Sequence, residues 1–298
     1  FPRNAELPGE FVYRVTPVFM NNADELSYGE AQEAAIELRR ETYPGKLNVT
    51  FTRGFVSSQA FVDRYVSKGP ISTLLPSKAD EGLTFVPTHP DAKEALAWMG
   101  FEARQAILEV LDQAIADKKA QVRVVAYDLN EPDVVLRLEK LGARLKVIID
   151  DDGSHGEPHS GEAQAEQRLS ASAGTDKRQH MGKLQHNKTI VVDGPKTQAV
   201  VCGSTNYSWR GFFVQSNNAM VLSGSTAVKP FLAAFDNYWA HDDVAGFGKT
   251  ASAKWNNLGL AGIDARVAFS PHAANNALLA TIADDIGKKT TSNMFFSL

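Results

Sequence analysis

The chain has 298 residues, of which 43% are hydrophobic and 22% are charged, a balance typical of a folded globular protein. Its formal net charge of −4 and its pI near 6.0 disfavour a dedicated nucleic-acid binder, which usually carries a basic surface. A single cysteine, Cys202, excludes an intramolecular disulfide framework. No stretch approaches the roughly 18 apolar residues that a membrane-spanning helix requires, so we expect no stable insertion into a membrane.

The chain begins with Phe-Pro-Arg rather than with methionine. This start indicates trimming, after which any targeting segment would be gone. The compartment therefore stays open between a secreted or periplasmic location and the cytoplasm.

Residues 1–92 form an N-terminal region with few regular patterns. The segment Ala23–Tyr43 has the apolar spacing of a helix, whereas Leu47–Phe55 alternates like a strand. Three prolines surround a short predicted strand at Leu83–Val86.

Residues 93–241 have the regular pattern of one domain. A short buried strand is predicted at Ala95–Met99 and an amphipathic helix at Phe101–Lys118. A strand at Gln121–Leu129, a helix that begins at Pro132 and a strand at Arg144–Asp150 follow. These lengths indicate right-handed βαβ units, hence the α/β class with a mixed, largely parallel sheet covered by helices.

A polar segment, Asp151–Gly182, is predicted to be a long functional loop with a helical piece around Glu162–Ala171. Two strands follow at Lys188–Asp193 and Gln198–Gly203, then an extended segment over Asn217–Gly224. The domain ends with a helix over 227–240.

Residues 242–262 are small and glycine-rich, as in a linker. The pattern then restarts over residues 263–298, with a strand, a helix at Ala273–Ile286 and an apolar strand at Met294–Leu298. Because an apolar terminal strand leaves an unpaired edge, we expect this segment to begin a second similar unit. The alternative is that it completes the first domain.

One motif carries chemistry. His186 and Lys188 stand two residues apart in HNKTIVVD, so both side chains project to the same side of an extended chain, and Asp193 ends that strand. The next strand ends in Gly-Ser-Thr-Asn, with Ser204 and Asn206. An imidazole, an ammonium, a hydroxyl and an amide that converge are suited to a phosphodiester without any metal.

The surroundings of the motif favour an anion. Six basic or imidazole side chains occur within residues 177–188 of a chain that is acidic overall: Lys177, Arg178, His180, Lys183, His186 and Lys188. A solvated basic loop explains much of this cluster, but it does not explain the H-x-K-x4-D spacing.

HNKTIVVD followed by GSTN resembles the signature of the phospholipase D superfamily. The resemblance covers about 93–240, and also the restart after residue 265. It implies that His186, Lys188 and Asp193 form the catalytic signature, with His186 as the nucleophile or its acid/base partner and Asp193 supporting the local structure. It also implies that Lys188, Ser204 and Asn206 bind the phosphate, and that no cofactor is needed.

The chain departs from the pattern of the family in two respects. Only one H-x-K-x4-D occurs, whereas the family brings two together. We therefore expect a second half-site from a C-terminal fragment or from a homodimer partner. The acidic residue that often follows the GSxN turn, where it orients the histidine, is replaced by Asn217 or Asn218.

Two further groups are candidates for contact with a substrate. The loop Asp150–His159 is rich in carboxylates, but it lacks the spacing of a metal site, so we expect that it overhangs the active site and that His155 touches the substrate. The aromatic residues after the GSTN turn, with Trp209 among them, are either core or the wall of an apolar pocket, to which Asn217 would also contribute.

The leading hypothesis is a metal-independent phosphodiesterase that acts through a phosphohistidine, most simply by hydrolysis or transphosphatidylation of phospholipids. One alternative is a nuclease of the same superfamily, which requires a basic groove. The other is an inactive scaffold that binds a phosphate or a protein partner. The headgroup and the acceptor, water or alcohol, stay open.

Overall fold

The computed structural model describes residues 9–39, 41–54, 58–273 and 278–291, which divide into two compact units between Gly45 and Lys46. The described part of the first unit contains β-hairpins. Its strands are β1 (Gly9–Val15), β2 (Val18–Met20), β3 (Leu26–Tyr28) and β4 (Gln32–Leu38). Strand β1 pairs antiparallel with β4, and β2 pairs antiparallel with β3.

The helix predicted over Ala23–Tyr43 is therefore wrong, because this segment forms β3 and β4. The register places Ile36 opposite Phe11 and Ala34 opposite Tyr13, so apolar side chains gather on one face of the ribbon. This cross-strand pairing overrides the weak helical preference of the alanines.

The second unit is an α/β domain. Its strands are β5 (Leu47–Phe51), β6 (Gln121–Ala126), β7 (Leu145–Ile149), β8 (Asp176–Arg178), β9 (Lys188–Asp193), β10 (Gln198–Gly203), β11 (Asn218–Ser223), β12 (Asn256–Asn257) and β13 (Arg266–Val267). Its helices are α1 (Gln59–Phe61), α2 (Ala92–Ala116), α3 (Pro132–Glu139), α4 (Gly161–Ala173), α5 (Trp209–Phe213), α6 (Ser225–Ala240), α7 (Val244–Phe247) and α8 (Leu278–Lys289).

Seven strands form the main sheet in the order β5-β11-β10-β9-β6-β7-β8. The predicted α/β class and the mixed sheet are confirmed, but the sheet is not largely parallel. Only β6–β7 and β7–β8 run parallel in it, and the other four neighbouring pairs are antiparallel. The physical reason is the tight turn after β9, in which Gly194 N donates to Thr197 O over 2.9 Å and returns the chain as an antiparallel neighbour.

Helices cover both faces of this sheet. Val124 of β6 faces a core shared with α2, α3, α4 and α5, whereas the adjacent Val125 faces a second core built around α6. This alternation is the period of two that a strand imposes on its side chains. It explains why buried apolar residues point to both faces of the central strands.

Two short predicted strands are absent from the described residues. Ala95–Met99 belongs to helix α2, because its buried Ala95 and Met99 continue to Ala103 at helical spacing. Leu83–Val86 lies in a turn, where the backbone N–H groups of Thr84 and Phe85 donate to Glu81 O. A five-residue apolar stretch does not distinguish a strand from a turn of buried helix.

The segment 242–262, predicted to be a linker, packs against the second core. Phe247 is fully buried and stacks on Tyr238 at 4.1 Å between ring centroids, and Leu258 and Leu260 join the same cluster. Phe269 also packs there, against Phe231. The prediction that residues 263–298 begin a second unit stays a prediction, and its last strand, 294–298, lies outside the described residues.

Phe247→Ala tests whether the 242–262 segment is part of this fold. We expect the free energy of unfolding to fall by about 3–5 kcal/mol, because a fully buried aromatic ring is removed from a packed core. Urea denaturation measures the change. Val244→Ala in the same short helix is the control, since Val244 is 41% exposed and should change stability little. An equally small effect at both positions would make this segment a true linker.

Candidate functional site

The ends of several strands converge at one edge of the main sheet. Because β9 runs antiparallel to β6, the start of β9 lies beside the end of β6, with Lys188 paired to Ala126. Strand β7 is parallel to β6 and ends at the same edge, just before Asp150. Strand β10 also ends there, and β11 begins there. The topology thus gathers His186, Lys188, Ser204 and Asn206 at one sheet edge.

Lys188 is a buried cation, with 6% of its surface exposed. Its Nζ donates to the backbone oxygen of His186 over 2.6 Å and lies 4.8 Å from the centre of the Tyr127 ring. No carboxylate within the described ranges forms an ion pair with it. Burial lowers the pKa of Lys188 to about 8, although the charges of Asp128 and Asp150 oppose this shift. A buried ammonium of this kind is suited to receiving an anion.

His186 precedes β9 and is exposed at the same edge. Its ring meets the Tyr127 ring at 4.5 Å between centroids and an interplanar angle of 74°. Partial burial and the charge of Lys188 lower the pKa of His186, while Asp128 and Asp150 act in the opposite direction. The imidazole is therefore neutral near pH 7 and has a lone pair available for attack.

Tyr127 and Asp128 directly follow β6 and were not singled out in the sequence. Tyr127 contacts both His186 and His155, whose ring centroid also lies 4.5 Å away. Asp128 accepts a hydrogen bond from Ser208 Oγ over 3.2 Å and pairs with His155 Nε2 over 3.3 Å. Their position in the sequence is a signal of function. Tyr127 and Asp128 directly follow a buried strand, and Asp150 directly follows the parallel neighbour of that strand.

His155 is held between two carboxylates. Its Nδ1 donates to Asp150 Oδ2 over 2.8 Å, and its Nε2 faces Asp128. These two hydrogen bonds raise the pKa of His155 to about 10. Because both ring nitrogens already have carboxylate partners, direct contact of a ring nitrogen with a substrate, as predicted, would break one of these pairs.

Asp150 is fully buried and is the anchor of this edge. Besides His155, it accepts the backbone N–H of Asp152 over 3.1 Å and that of Gln185. Gln185 is the residue before His186. One carboxylate therefore fixes both the loop that carries His155 and the segment that carries His186.

The GSTN turn lies at the end of β10. Gly203 has a φ of 149°, and a Cβ there would lie 2.5 Å from Asn218 O, so glycine permits the close approach of β11. Ser204 Oγ is exposed, donates to Asn217 Oδ1 over 3.1 Å and accepts the N–H of Asn218 over 3.0 Å. Asn206 is buried, and its side-chain oxygen has no hydrogen-bond partner within the described part of the chain.

Two predicted site residues lie elsewhere. Asp193 is at the opposite end of β9 from Lys188, about 16 Å along the strand, where it accepts the side-chain amide of Gln198 over 3.2 Å. Trp209 is 7% exposed, and its Nε1 donates to Gly82 O over 2.8 Å. Its neighbours after the turn are buried as well: Tyr207, Phe212 and Phe213. These aromatic residues form core rather than the wall of a substrate pocket.

Within the described ranges, Asp128, His155 and Glu162 bring possible metal-ligand atoms within 4.8 Å of one another. The two nitrogens of His155 are engaged with carboxylates, and Glu162 Oε1 accepts the N–H of Leu129 over 3.0 Å. A metal would have to displace these internal contacts. Metal independence stays a prediction.

The basic cluster around the motif is largely occupied by internal partners. Lys177 donates to Trp239 O, and Arg178 donates to His155 O and pairs with Glu166. His180 pairs with Asp151 over 2.8 Å, which raises the pKa of His180. These cations hold the loop together instead of forming an open basic groove.

An α/β domain with a neutral histidine and a buried ammonium that has no carboxylate partner among the described residues, both at one sheet edge, defines a candidate phosphate site. Residues 107–239 match the family model described as "Cardiolipin synthase, PLD-like domain". This match, over somewhat less than half of the chain, supports the resemblance to the phospholipase D superfamily that the motif predicted, and with it a phosphodiesterase of that superfamily.

Three solved structures are similar to part of this chain. Nuc from Salmonella typhimurium, a phospholipase D family member, is 26% identical over 46% of this chain and 87% of its own, with a TM-score of 0.40. NucT from Helicobacter pylori is 14% identical over 47% and 91%, with a TM-score of 0.39. Polyphosphate kinase from Porphyromonas gingivalis is 12% identical over 44% and 24%, with a TM-score of 0.36.

A search of curated proteins gave no match. Among the described residues, none of the helices has both the length and the apolar character needed to cross a bilayer.

Lys188→Met tests the cost of the buried ammonium. At pH 7 we expect the free energy of unfolding to rise by roughly 1–2 kcal/mol, because an apolar side chain of similar length replaces a desolvated charge. Since the pKa falls from 10.5 to about 8 on folding, the advantage of the variant should shrink between those pH values, as the wild-type lysine loses its proton.

Urea denaturation at pH 7 and at pH 10 measures both effects. Lys183→Met, at an exposed position, is the control and should be neutral. A less stable Lys188→Met protein would show that the ammonium is stabilised by the fold before any substrate binds.

Proposed function

We propose that this chain is a metal-independent phosphodiesterase that acts through a phosphohistidine at His186. The observation that carries the proposal is Lys188, a buried cation with no carboxylate partner among the described residues, beside a histidine whose pKa is lowered. A phosphoryl oxygen supplies the anion that this ammonium lacks.

In the first step a ring nitrogen of His186 forms a bond to phosphorus, and the bond from phosphorus to the leaving oxygen breaks. That oxygen takes a proton from a second acid. In the second step the oxygen of water or of an alcohol attacks phosphorus and the nitrogen–phosphorus bond breaks, which restores His186. The proton of the acceptor returns to the second group.

Three side chains are proposed to bind the phosphate. The Lys188 ammonium neutralises charge on the non-bridging oxygens, and the exposed Ser204 hydroxyl and the Asn206 amide lie at the same sheet edge. Donors fixed in a partly desolvated site stabilise developing charge strongly. Asp193 supports the local structure at the far end of β9 instead of contacting the phosphate.

The second acid is proposed to come from another half-site, on a C-terminal fragment or on a homodimer partner. The sequence contains one H-x-K-x4-D motif, and the family resemblance implies two. His155 does not fit this role, because its two nitrogens pair with Asp128 and Asp150.

The substrate class we propose is a phospholipid, hydrolysed or transferred to an alcohol. The description of the family model names cardiolipin synthase, an enzyme that makes a phospholipid. The chain also carries a net charge of −4, which favours a lipid over a nucleic acid. The internal pairing of Lys177, Arg178 and His180 weakens the nuclease alternative, which needs a basic groove. The aromatic residues after the GSTN turn give no support for an apolar pocket, so the headgroup stays open.

A trapping experiment tests the nucleophile. With bis-p-nitrophenyl phosphate, whose leaving group needs little help from an acid, we expect His186 to displace one p-nitrophenolate and to retain an acid-labile p-nitrophenylphosphoryl group even when the second half-site is absent. Rapid quenching into base followed by peptide mass spectrometry detects it. EDTA should leave the yield unchanged.

His186→Asn should abolish the label and lower turnover about 10³-fold or more. His159→Asn, at an exposed position of the Asp150–His159 loop, is the matched control. Labelling by a radioactive oligonucleotide but not by phosphatidylcholine vesicles would favour the nuclease. Absence of label with all three substrates would favour the inactive scaffold.

The dependence of kcat/KM on pH tests the proposed roles of His186 and Lys188. For the free enzyme, kcat/KM should fall on the acid side with a midpoint below pH 6.5, as His186 becomes protonated, and on the alkaline side near pH 8, as Lys188 loses its charge. Lys188→Arg should move the alkaline limb to higher pH, because guanidinium stays charged. An alkaline limb that is unchanged in this variant would assign that ionisation to another group.

A further inference from the structure

His186 lacks the partner that would ordinarily orient a catalytic histidine. In the part of the chain that the structure describes, no side chain forms a hydrogen bond with its imidazole. Asn217, one of the two positions at which the family resemblance implies an acid, is turned toward other groups. It accepts from Ser204 Oγ over 3.1 Å and donates to Gly211 O over 2.9 Å. Another feature must hold the ring of His186.

The Tyr127 ring contacts the imidazole of His186 directly. It lies 4.5 Å from the His186 ring between centroids and 4.8 Å from Lys188 Nζ. Edge-to-face ring pairs and a cation over a ring are both attractive contacts, and each restricts the geometry of the groups that form it. One aromatic ring thus touches both members of the motif.

Tyr127 is itself held in place from behind. The His155 ring packs against it at 4.5 Å and 63°, and His155 is fixed by Asp128 on one nitrogen and Asp150 on the other. We call Asp128, His155 and Asp150 the carboxylate–imidazole clamp. Asp150 also accepts the N–H of Gln185, so the clamp is joined to the backbone just before His186.

We propose that Tyr127, supported by the carboxylate–imidazole clamp, is the positioning residue that orients His186 and Lys188 in place of an acidic partner. Tyr127 acts by ring contact and not by proton transfer, which distinguishes it from a catalytic residue. The effect on turnover rests on the proposed function, whereas the effect on the geometry of His186 does not.

The clamp also sets the charge at the site. With His155 protonated between two ionised carboxylates, it carries a net charge of −1. His186 and Lys188 face each other. The other ionisable groups that face them are Tyr127 and Asp128, which follow β6, and Asp150, which follows β7. His155 and Glu162 lie behind these groups. Removing a carboxylate and removing the imidazole must therefore shift the pKa of His186 in opposite directions.

The first experiment measures geometry without substrate. In the NMR spectrum of the whole chain, the ring protons of His186 should be shifted by the ring current of Tyr127. Tyr127→Phe should retain this shift, since the ring stays, and Tyr127→Leu should remove it. If the shift persists in Tyr127→Leu with wild-type signal dispersion and melting temperature, the proposal fails.

The second experiment measures charge and remains decisive should Tyr127→Leu misfold. Asp128→Asn, which keeps the shape of the side chain, should lower the pKa of both His186 and Lys188. His155→Gln should raise both, because two carboxylates then lack a counter-charge. Asp151→Asn is the control, since Asp151 pairs with His180 and should move the pKa of His180 alone. If the pKa values of His186 and Lys188 shift in the same direction in Asp128→Asn and His155→Gln, the proposed charge arrangement of the carboxylate–imidazole clamp is wrong.

The third readout is turnover of bis-p-nitrophenyl phosphate. Tyr127→Leu should lower kcat about 10-fold or more with a smaller effect on KM, because a misplaced nucleophile reacts slowly once substrate is bound. An inactive wild type with the expected NMR shifts would remove the proposed function and leave the positioning intact. An active wild type in which Tyr127→Leu loses the shift but keeps full kcat would remove the positioning alone.

Discussion

The central constraint on this protein is the burial of one ammonium group at the start of a central strand. Lys188 is enclosed by the fold, its nitrogen reaches a backbone carbonyl and an aromatic ring, and burial depresses its pKa. Such a group destabilises the folded chain unless an anion meets it. The buried ammonium therefore lowers the free energy of unfolding and at the same time creates a site that favours negative charge.

The antiparallel orientation of β9 makes this site possible. If β9 ran parallel to β6, His186 and Lys188 would lie at the opposite edge from Tyr127, Asp128 and Asp150. Because β9 is reversed, its beginning meets the ends of β6 and β7, and the end of β10 joins them. Side chains from four separate stretches of sequence meet in this way, and the hydrogen bonds that Asp150 accepts hold the loops that carry His155 and His186.

Electrostatics then divides two histidines into two roles. His155 lies between carboxylates and holds its proton firmly, whereas His186 lies beside Lys188 and is kept neutral. The Tyr127 ring separates them and contacts both. The same residue type thus serves as a structural cation in one position and as a candidate nucleophile in the other, because its neighbours differ in charge.

The sequence by itself indicated the resemblance to the phospholipase D superfamily, the α/β class and the central strands and helices, since HNKTIVVD, GSTN and long apolar patterns are local signals. Local patterns failed where pairing or burial decided the outcome. Ala23–Tyr43 became strands because Ile36 and Ala34 pair across a hairpin, and Phe247 joined a core although its surroundings are glycine-rich. Tertiary structure alone decided that Trp209 is core, that Asp193 lies at the far end of β9, and that Tyr127, Asp128 and Asp150 surround the motif. The physical reason is that strand direction determines which strand ends share a sheet edge, and the direction of β9 relative to β6 is decided by pairing between segments that are far apart in the sequence.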